Sequence, residues 1–177
     1  MICGLDISKA TIPRDLVELA KHVFAPIGLT CSKVETELES REYGAVMLEL
    51  GHLSARFRVA KITPRKVGQF VTIWKRIGDG PIQPFDETDP VDLVVIQCRS
   101  DHGSGQFVFP KAVLCRWDVF SKNGTGGKRA IRVYPPWDRP TSQQAVRSQA
   151  WQREYFMEMP EDRPVDRARA RALYGID

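Results

Sequence analysis

The sequence has no long apolar stretch. Its most apolar run, Leu93-Val94-Val95-Ile96, is only a few residues long, whereas a membrane-spanning helix needs about 18 or more. The start of the chain also lacks a basic segment followed by an apolar one, which is the pattern of a secretory signal peptide. We therefore expect a cytoplasmic protein that does not associate with a membrane.

Cysteine is scarce, and no two cysteines have the Cys-x-x-Cys spacing. The four are Cys3, Cys31, Cys98 and Cys115. In a reducing compartment, isolated cysteines are expected to be free thiols that pack as small apolar side chains. A structural zinc site needs four close ligands with paired spacing, and the three histidines lie near no cysteine pair. The sequence therefore predicts no metal and no other cofactor.

Glycine and proline, with 13 and 12 residues, are not concentrated in any one segment, which excludes collagen-like and low-complexity proteins. A length of 177 residues with 42% hydrophobic and 27% charged residues is typical of one folded domain. We expect a single domain over residues 1–157, followed by a charged tail or terminal helix over residues 158–177.

Acidic residues are missing from two parts of a chain whose formal net charge is +4. The segment 56–76 carries only basic charges, at Arg56, Arg58, Lys61, Arg65, Lys66, Lys75 and Arg76. The segment 122–132 also lacks acids and carries Lys122, Lys128, Arg129 and Arg132. Two basic segments in one domain can form one positive surface that attracts phosphates. The alternative is that both are solvated and neutralised elsewhere, for example by the glutamate-rich residues 35–49.

Hydrophobic periodicity predicts helices and strands in mixed order. Helices are expected over residues 13–25, 63–77 and 141–157, with a short helix or turn over 111–119. Strands are expected over residues 44–50, 54–62, 92–98, 106–110 and 128–134. This order favours an α+β (mixed α/β) fold with a mixed sheet of about five strands flanked by helices.

The segment 63–77 has several features of a helix. Thr63 suits the N-cap and Pro64 the first helical position. The apolar residues that recur at helical spacing are Val67, Phe70, Val71, Trp74 and Ile77. The expected helix therefore buries an aromatic stripe and exposes Arg65, Gln69 and Arg76.

A glycine-rich segment, Gly124-Thr125-Gly126-Gly127-Lys128, is similar in composition to a phosphate-binding loop. That loop works because a helix N-terminus follows it, whereas a strand is predicted here. We therefore expect a flexible connection over residues 122–128 and no nucleoside-triphosphatase activity.

A metal-dependent nuclease is an alternative function, for which the chain offers only a few suitable residues. Such a centre needs carboxylates at strand ends to hold Mg²⁺ or Mn²⁺, with a lysine nearby. Lys61 has the right position after a strand, and Glu49 and Asp92 are the acidic residues that can accompany it. Val59 stands where a further carboxylate is expected, so the sequence favours binding over catalysis.

Nucleic-acid binding calls for cations mixed with amides and aromatic rings. For Tyr134 and Trp137, binding and core packing are equally compatible with the sequence. The complete set of predicted binding residues is Lys61, Thr63, Arg65, Lys66, Gln69, Arg76, Lys111, Lys128, Arg129, Arg132, Tyr134 and Trp137.

Four segments of the sequence resemble the MepB-like family, which is named for a protein encoded beside a bacterial multidrug efflux pump. They are residues 58–76 (RVAKITPRKVGQFVTIWKR), 105–111 (GQFVFPK), 127–137 (GKRAIRVYPPW) and 149–156 (QAWQREYF). The resemblance covers about residues 14–157 and implies a mixed sheet flanked by helices, similar to restriction-endonuclease-like folds. Nucleases of that kind use a carboxylate-x-lysine pair, from which Val59-Ala60-Lys61 departs.

These observations favour a module that binds nucleic acid or nucleotide phosphates through a basic groove. A degenerate metal-dependent nuclease is one alternative. A protein-interaction module, which would use the acidic segment 35–42 and the charged tail, is the other.

Overall fold

The structure, a computed structural model, describes residues 3–4 and 12–176. Its strands are β1 (Cys31–Thr36), β2 (Val46–Leu50), β3 (Leu53–Val59), β4 (Lys61–Thr63), β5 (Lys66–Thr72), β6 (Leu93–Ser100), β7 (Gly103–Pro110), β8 (Ala130–Val133) and β9 (Phe156–Glu158). Its α-helices are α1 (Arg14–Leu19), α2 (Lys111–Arg116), α3 (Gln143–Gln152) and α4 (Arg167–Tyr174). This combination of elements confirms the predicted α+β class.

Six strands form a mixed sheet, called the large sheet, in the order β1-β2-β3-β6-β7-β9. β3 and β6 run parallel, and the other neighbouring strands are antiparallel. Parallel neighbours need a crossover connection. Residues 60–92 supply this crossover, which contains β4, β5 and most of the first basic segment.

Both faces of the central strands of the large sheet are buried. Leu93 and Val95 of β6 pack on one side with residues of α1 and α4. Val94 and Ile96 pack on the other side with residues of β5, β8, α2 and α3. As predicted for a central strand, β6 is buried over residues 93–98. The large sheet therefore separates an α1–α4 side from a side that carries the crossover.

β4, β5 and β8 form a second, three-stranded antiparallel sheet, called the small sheet. The predicted helix over residues 63–77 is therefore wrong, because the chain turns after Thr63 and returns as β5. Gly68 has a φ of 84°, which is outside the helical range and which glycine adopts without strain. The valine, threonine and phenylalanine residues of this segment also favour strands, and pairing with β8 decides between the two structures.

Most other predicted elements are confirmed with shifted ends. The helix expected over residues 13–25 consists of α1 and further helical turns that end at Gly28. The other predicted strands correspond to β2, β3, β6, β7 and β8, and α2 lies in the expected short helix. The strand expected over residues 54–62 is too long, because its last two residues belong to β4 of the small sheet. The helix expected over residues 141–157 is right only for α3 and the turn after it, because the chain leaves that turn as β9 and pairs with β7.

The last helix packs into the core on the α1–α4 side. The Asp166 carboxylate caps α4 by accepting a hydrogen bond from the Arg169 amide. Leu173 and Tyr174 are buried, and the Tyr174 hydroxyl donates to Gln106 Oε1 at 3.1 Å. Among the described helices, none has the length and apolar character needed to cross a membrane.

The connection into β8, for which the sequence predicts flexibility over residues 122–128, is hydrogen-bonded to the rest of the fold. The buried Asp86 carboxylate accepts hydrogen bonds from the Gly124 amide at 2.9 Å and the Ser121 hydroxyl at 2.7 Å. These two bonds are the main cause of the lowered pKa of Asp86. Asp118 Oδ1 accepts from the Gly127 amide at 3.1 Å. The loop therefore fixes the start of β8.

Candidate nucleic-acid interface

The pairing of β5 with β8 brings the two basic segments together. Phe70 pairs with Arg132 in the antiparallel register, so residues 69–72 lie beside residues 130–133. Arg132 Nη2 donates to Thr63 Oγ1 at 2.7 Å, and its Nη1 donates to Gly68 O at 3.0 Å. Arg132 and Thr63 therefore connect β8 to the turn between β4 and β5.

One face of the small sheet places cations over aromatic rings. Lys61 Nζ lies 4.8 Å from the centre of the Tyr43 ring, and Arg132 Cζ lies 5.8 Å from that of Phe70. The two ring centres are 6.1 Å apart. Lys61 also forms an ion pair with Glu42 at 3.1 Å. Lys61 and Arg132 therefore use their charges in contacts within the molecule.

A cleft of about 690 Å³ lies between the β4–β5 hairpin, the β6–β7 turn and the chain after β8. We call it the hairpin cleft. Its charged and polar lining residues are Lys66, Gln69, Ser100, His102, Asp138 and Arg139. Lys66, His102 and Arg139 are exposed. The cleft is large enough for a nucleotide-sized group, and cations lie at its rim.

Three polar atoms in the lining of the hairpin cleft have no hydrogen-bond partner within the described residues. They are Gln69 Oε1, Trp137 Nε1 and Asp138 Oδ2. Gln69 is buried, and its Nε2 donates to Arg99 O at 3.1 Å. Burial raises the pKa of Asp138 above its ordinary value, although His102 and the Gly68 amide act in the opposite direction. The lining therefore combines hydrogen-bonding groups with a carboxylate that is poorly solvated.

The aromatic residues after β8 are packed against other side chains. Tyr134 is buried, burial raises its pKa, and its ring lies against Gly68. Trp137 packs edge-on against Phe156, with ring centres 5.6 Å apart, and also lines the hairpin cleft. Tyr134 is therefore a core residue, whereas Trp137 is both packed and part of the cleft wall.

A second cleft, of about 540 Å³, lies between the start of β8 and α3. We call it the tryptophan cleft. Trp117 and Trp151 stack there with ring centres 5.2 Å apart and planes 11° apart, and Trp117 is 41% exposed. Lys128 and Arg147 also line this cleft. It thus combines an exposed aromatic ring with two cations.

Sequence reasoning missed Trp117 and Arg147. Trp117 directly follows α2, in a segment without enough periodicity to separate an exposed ring from a core ring. Arg147 lies in a predicted helix whose charges suggested no function. A tryptophan between Arg116 and Asp118 is the one local signal of exposure, since charged neighbours are mostly found at the surface.

Four of the predicted cations remain exposed at the small sheet. Within the part of the chain that the structure describes, they form no ion pair with a carboxylate. They are Arg65, Lys66, Lys128 and Arg129. These side chains are therefore available to bind phosphates.

Two other predicted cations have partners away from the hairpin and tryptophan clefts. Arg76 forms an ion pair with Glu39 at 2.6 Å. Lys111 Nζ donates to the carbonyl oxygens of Glu87 and Asp89 at 3.1 and 2.6 Å. Neutralisation by the glutamate-rich segment, which the sequence left as an alternative, thus applies to Lys61 and Arg76, and also to Arg58 through Glu37.

The residues of the alternative nuclease centre lie apart. Glu49 pairs with Ser54 across β2 and β3, and Asp92 Oδ2 accepts from the Ser54 amide at 2.9 Å. Both carboxylates are therefore near the start of β3, whereas Lys61 follows its end, about 20 Å away along the strand. Within the described residues, no group of three or more His, Cys, Asp or Glu side chains could hold a metal ion.

Comparisons with known proteins identify a family and a similar fold. A family model described as MepB-like matches residues 37–158, a range that includes both basic segments and both clefts. The crystal structure of MepB is similar, with a TM-score of 0.70 and 29% sequence identity over 74% of this chain and 88% of that chain. No curated protein sequence matches. Because the family model covers more than half of the sequence, the chain belongs to the MepB-like family.

Proposed function

We propose that this protein binds nucleic acid, or the phosphates of nucleotides, through the surface that extends from the hairpin cleft to the tryptophan cleft. The cations of this surface are Arg65, Lys66, Lys128, Arg129, Arg139 and Arg147. The observation that carries the proposal is the β5–β8 pairing. It joins two acid-free segments in one sheet and leaves four of their cations without carboxylate partners.

Electrostatic attraction supplies most of the expected affinity. Each lysine or arginine that neutralises a phosphate releases condensed counterions, so binding weakens steeply as salt rises. Within the described residues, five of these cations lie on strands and loops and only Arg147 lies on a helix, α3. The surface therefore offers no cation-lined helix to fit a major groove. Contacts to the phosphate backbone position a ligand without reading its sequence.

The tryptophan cleft favours a single strand over a duplex. A single strand can unstack a base and place it on an exposed aromatic ring, and every base has a face that can stack. The exposed side of the Trp117–Trp151 pair offers such a ring beside Lys128 and Arg147. Paired bases in a duplex cannot reach it without opening.

The test is fluorescence anisotropy with labelled single-stranded DNA, single-stranded RNA and duplex DNA over a range of salt concentrations. Lys66→Glu combined with Lys128→Glu should weaken binding of all sequences alike. It should also reduce the slope of log K against log salt by about 0.7 for each lost contact to a single strand. Arg132 is unsuitable for this test, because it holds Thr63 and Gly68 in place.

Lys21→Glu combined with Arg167→Glu is the matched control. Both residues are exposed and lie on the α1–α4 side, so the change of charge is equal while the proposed surface is untouched. The control has the same lowered net charge but loses no contact of the proposed surface. Its affinity should therefore fall less than that of the Lys66/Lys128 variant. Equal affinities of the wild type and the Lys66/Lys128 variant at low salt would contradict the proposal.

A further inference from the structure

Two arginines of β3 are buried on the side of the large sheet that faces away from α1 and α4. Arg58 is 2% exposed and Arg56 is 9% exposed. Both line a cleft of about 440 Å³, which we call the arginine cleft. It shares none of its described residues with the hairpin or tryptophan cleft. A buried guanidinium needs partners, because it carries a charge and five N–H donors.

Each carboxylate that lines the arginine cleft has a close partner other than Arg56. These ion pairs are Arg58 with Glu37 at 2.5 Å, Lys75 with Asp89 at 2.5 Å and Arg76 with Glu39 at 2.6 Å. Arg56 is the remaining cation, and its Nε lies 3.7 Å from Glu37 Oε1. The cleft therefore holds one more cation than carboxylates.

Arg56 makes few hydrogen bonds for a buried arginine. Its Nη1 donates to Ala55 O at 3.5 Å, and its Nε has no hydrogen-bond partner within the described residues. Its Cζ lies 5.6 Å from the centre of the Phe85 ring. Burial lowers the pKa of Arg56, and Glu37 only partly opposes this effect. A buried charge with so few partners destabilises a fold unless an anion completes the site.

We propose that Arg56 binds an oxyanion in the arginine cleft, namely a phosphate or carboxylate group that presents two oxygens on one edge. The planar guanidinium matches such an edge with two parallel hydrogen bonds. Because the cleft holds one cation more than carboxylates, one anionic group neutralises it, and a second would be repelled. This proposal does not depend on nucleic-acid binding.

The surroundings of Arg56 also define the rest of the ligand. Leu38 is 82% exposed, and Met47 and Trp74 are half-buried in the same cleft. These side chains offer apolar surface next to the buried charge. A small molecule with one anionic end and an apolar body therefore fits better than a bare ion.

The experiment compares the thermal unfolding of the protein in inorganic phosphate, sodium succinate and sodium chloride at equal ionic strength. At ten times its Kd, the bound anion should raise the midpoint by about 3 to 6 °C relative to chloride. A larger response to phosphate identifies a phosphate site, and a larger response to succinate identifies a carboxylate site. No response to either anion beyond that to chloride would overturn the proposal.

Arg56→Met is the decisive variant, because methionine replaces the buried charge with an apolar side chain. We expect its midpoint in chloride to be equal to or above that of the wild type, and its response to the anion to be lost. Lys21→Met is the matched control, since it removes one exposed cation, and it should respond as the wild type does. The Lys66/Lys128 variant described above should also keep the response, which separates this site from the nucleic-acid interface.

A measurement on the wild type keeps the test independent of whether Arg56→Met folds. In a ¹⁵N spectrum of the arginine Nε–Hε groups, the signal of Arg56 should shift as phosphate or succinate is added. Arg56→Lys, which keeps the charge but cannot form the paired hydrogen bonds, should bind about tenfold or more weakly. An unshifted Arg56 signal, or a full response in Arg56→Met, would show that the inference is wrong.

Discussion

Replacing Gly68 with alanine tests the junction on which the proposed surface depends. Gly68 has a φ of 84°, and a Cβ at this position would lie 2.6 Å from Tyr134 Cε1 and 3.0 Å from Val133 O. The change therefore strains the backbone of β5 and pushes β8 away at the same time. We expect both the stability of the protein and its affinity for nucleic acid to fall.

The expected loss of stability has two parts. An alanine in the left-handed region costs about 1–2 kcal/mol relative to glycine. Forcing a methyl group into a filled contact costs about 1–3 kcal/mol more, because the Tyr134 ring must move. Gly68→Ala should therefore lower the free energy of unfolding by about 2–5 kcal/mol.

Gly28→Ala separates the two parts. Gly28 has a similar φ of 75°, but a Cβ there would have nothing within 4 Å. This variant should show the backbone cost alone, about 1–2 kcal/mol. Urea unfolding of both variants measures the difference, provided that the slope of free energy against urea is unchanged. Equal losses in the two variants would refute the proposed contact between Gly68 and Tyr134.

Three further changes test other parts of the molecule. Asp138→Asn removes a negative charge from the hairpin cleft and should raise the affinity for single strands about two- to fivefold. Because burial raises the pKa of Asp138, its ionised form destabilises the fold, so the variant should be more stable in urea at neutral pH. That gain should shrink as pH falls through the raised pKa. Asp86→Asn should lower the melting temperature, because the ionised carboxylate holds the loop before β8. Since the pKa of Asp86 is lowered in the fold, its contribution is present at neutral pH and declines below about pH 4, which melts from pH 3 to 7 will check. Trp117→Ala should weaken single-strand binding by about 1–3 kcal/mol, and unchanged affinity would remove the tryptophan cleft from the interface.

The large sheet could be predicted because most of its strands carry their own signals. β6 is a continuous apolar run, and Arg56 and Arg58 alternate with Phe57 in β3. The small sheet could not be predicted in the same way. Residues 66–72 have apolar residues at helical spacing and also a composition that favours a strand. Which structure they adopt depends on pairing with β8, whose Arg132 is 64 positions after Gly68. Long-range pairing of this kind overrides local preference.

The candidate site could be predicted only in part. The acid-free composition of the two basic segments is visible in the sequence, and the structure places these segments side by side. Which cations stay available depends on the path of residues 37–43, which brings Glu39 and Glu42 to Arg76 and Lys61. The isolation of Arg56 is likewise a property of the folded chain, because its nearest carboxylate, Glu37, is closer to Arg58.

The crossover between β3 and β6 has a consequence for the order of folding. β5 lies inside this connection, so its pairing with β8 closes a long loop that local contacts do not assist. The small sheet is therefore expected to form late and to open first, with faster amide exchange than β3 or β6. A reversible opening of this kind would separate the two basic segments and abolish the proposed nucleic-acid interface while the rest of the protein stays folded.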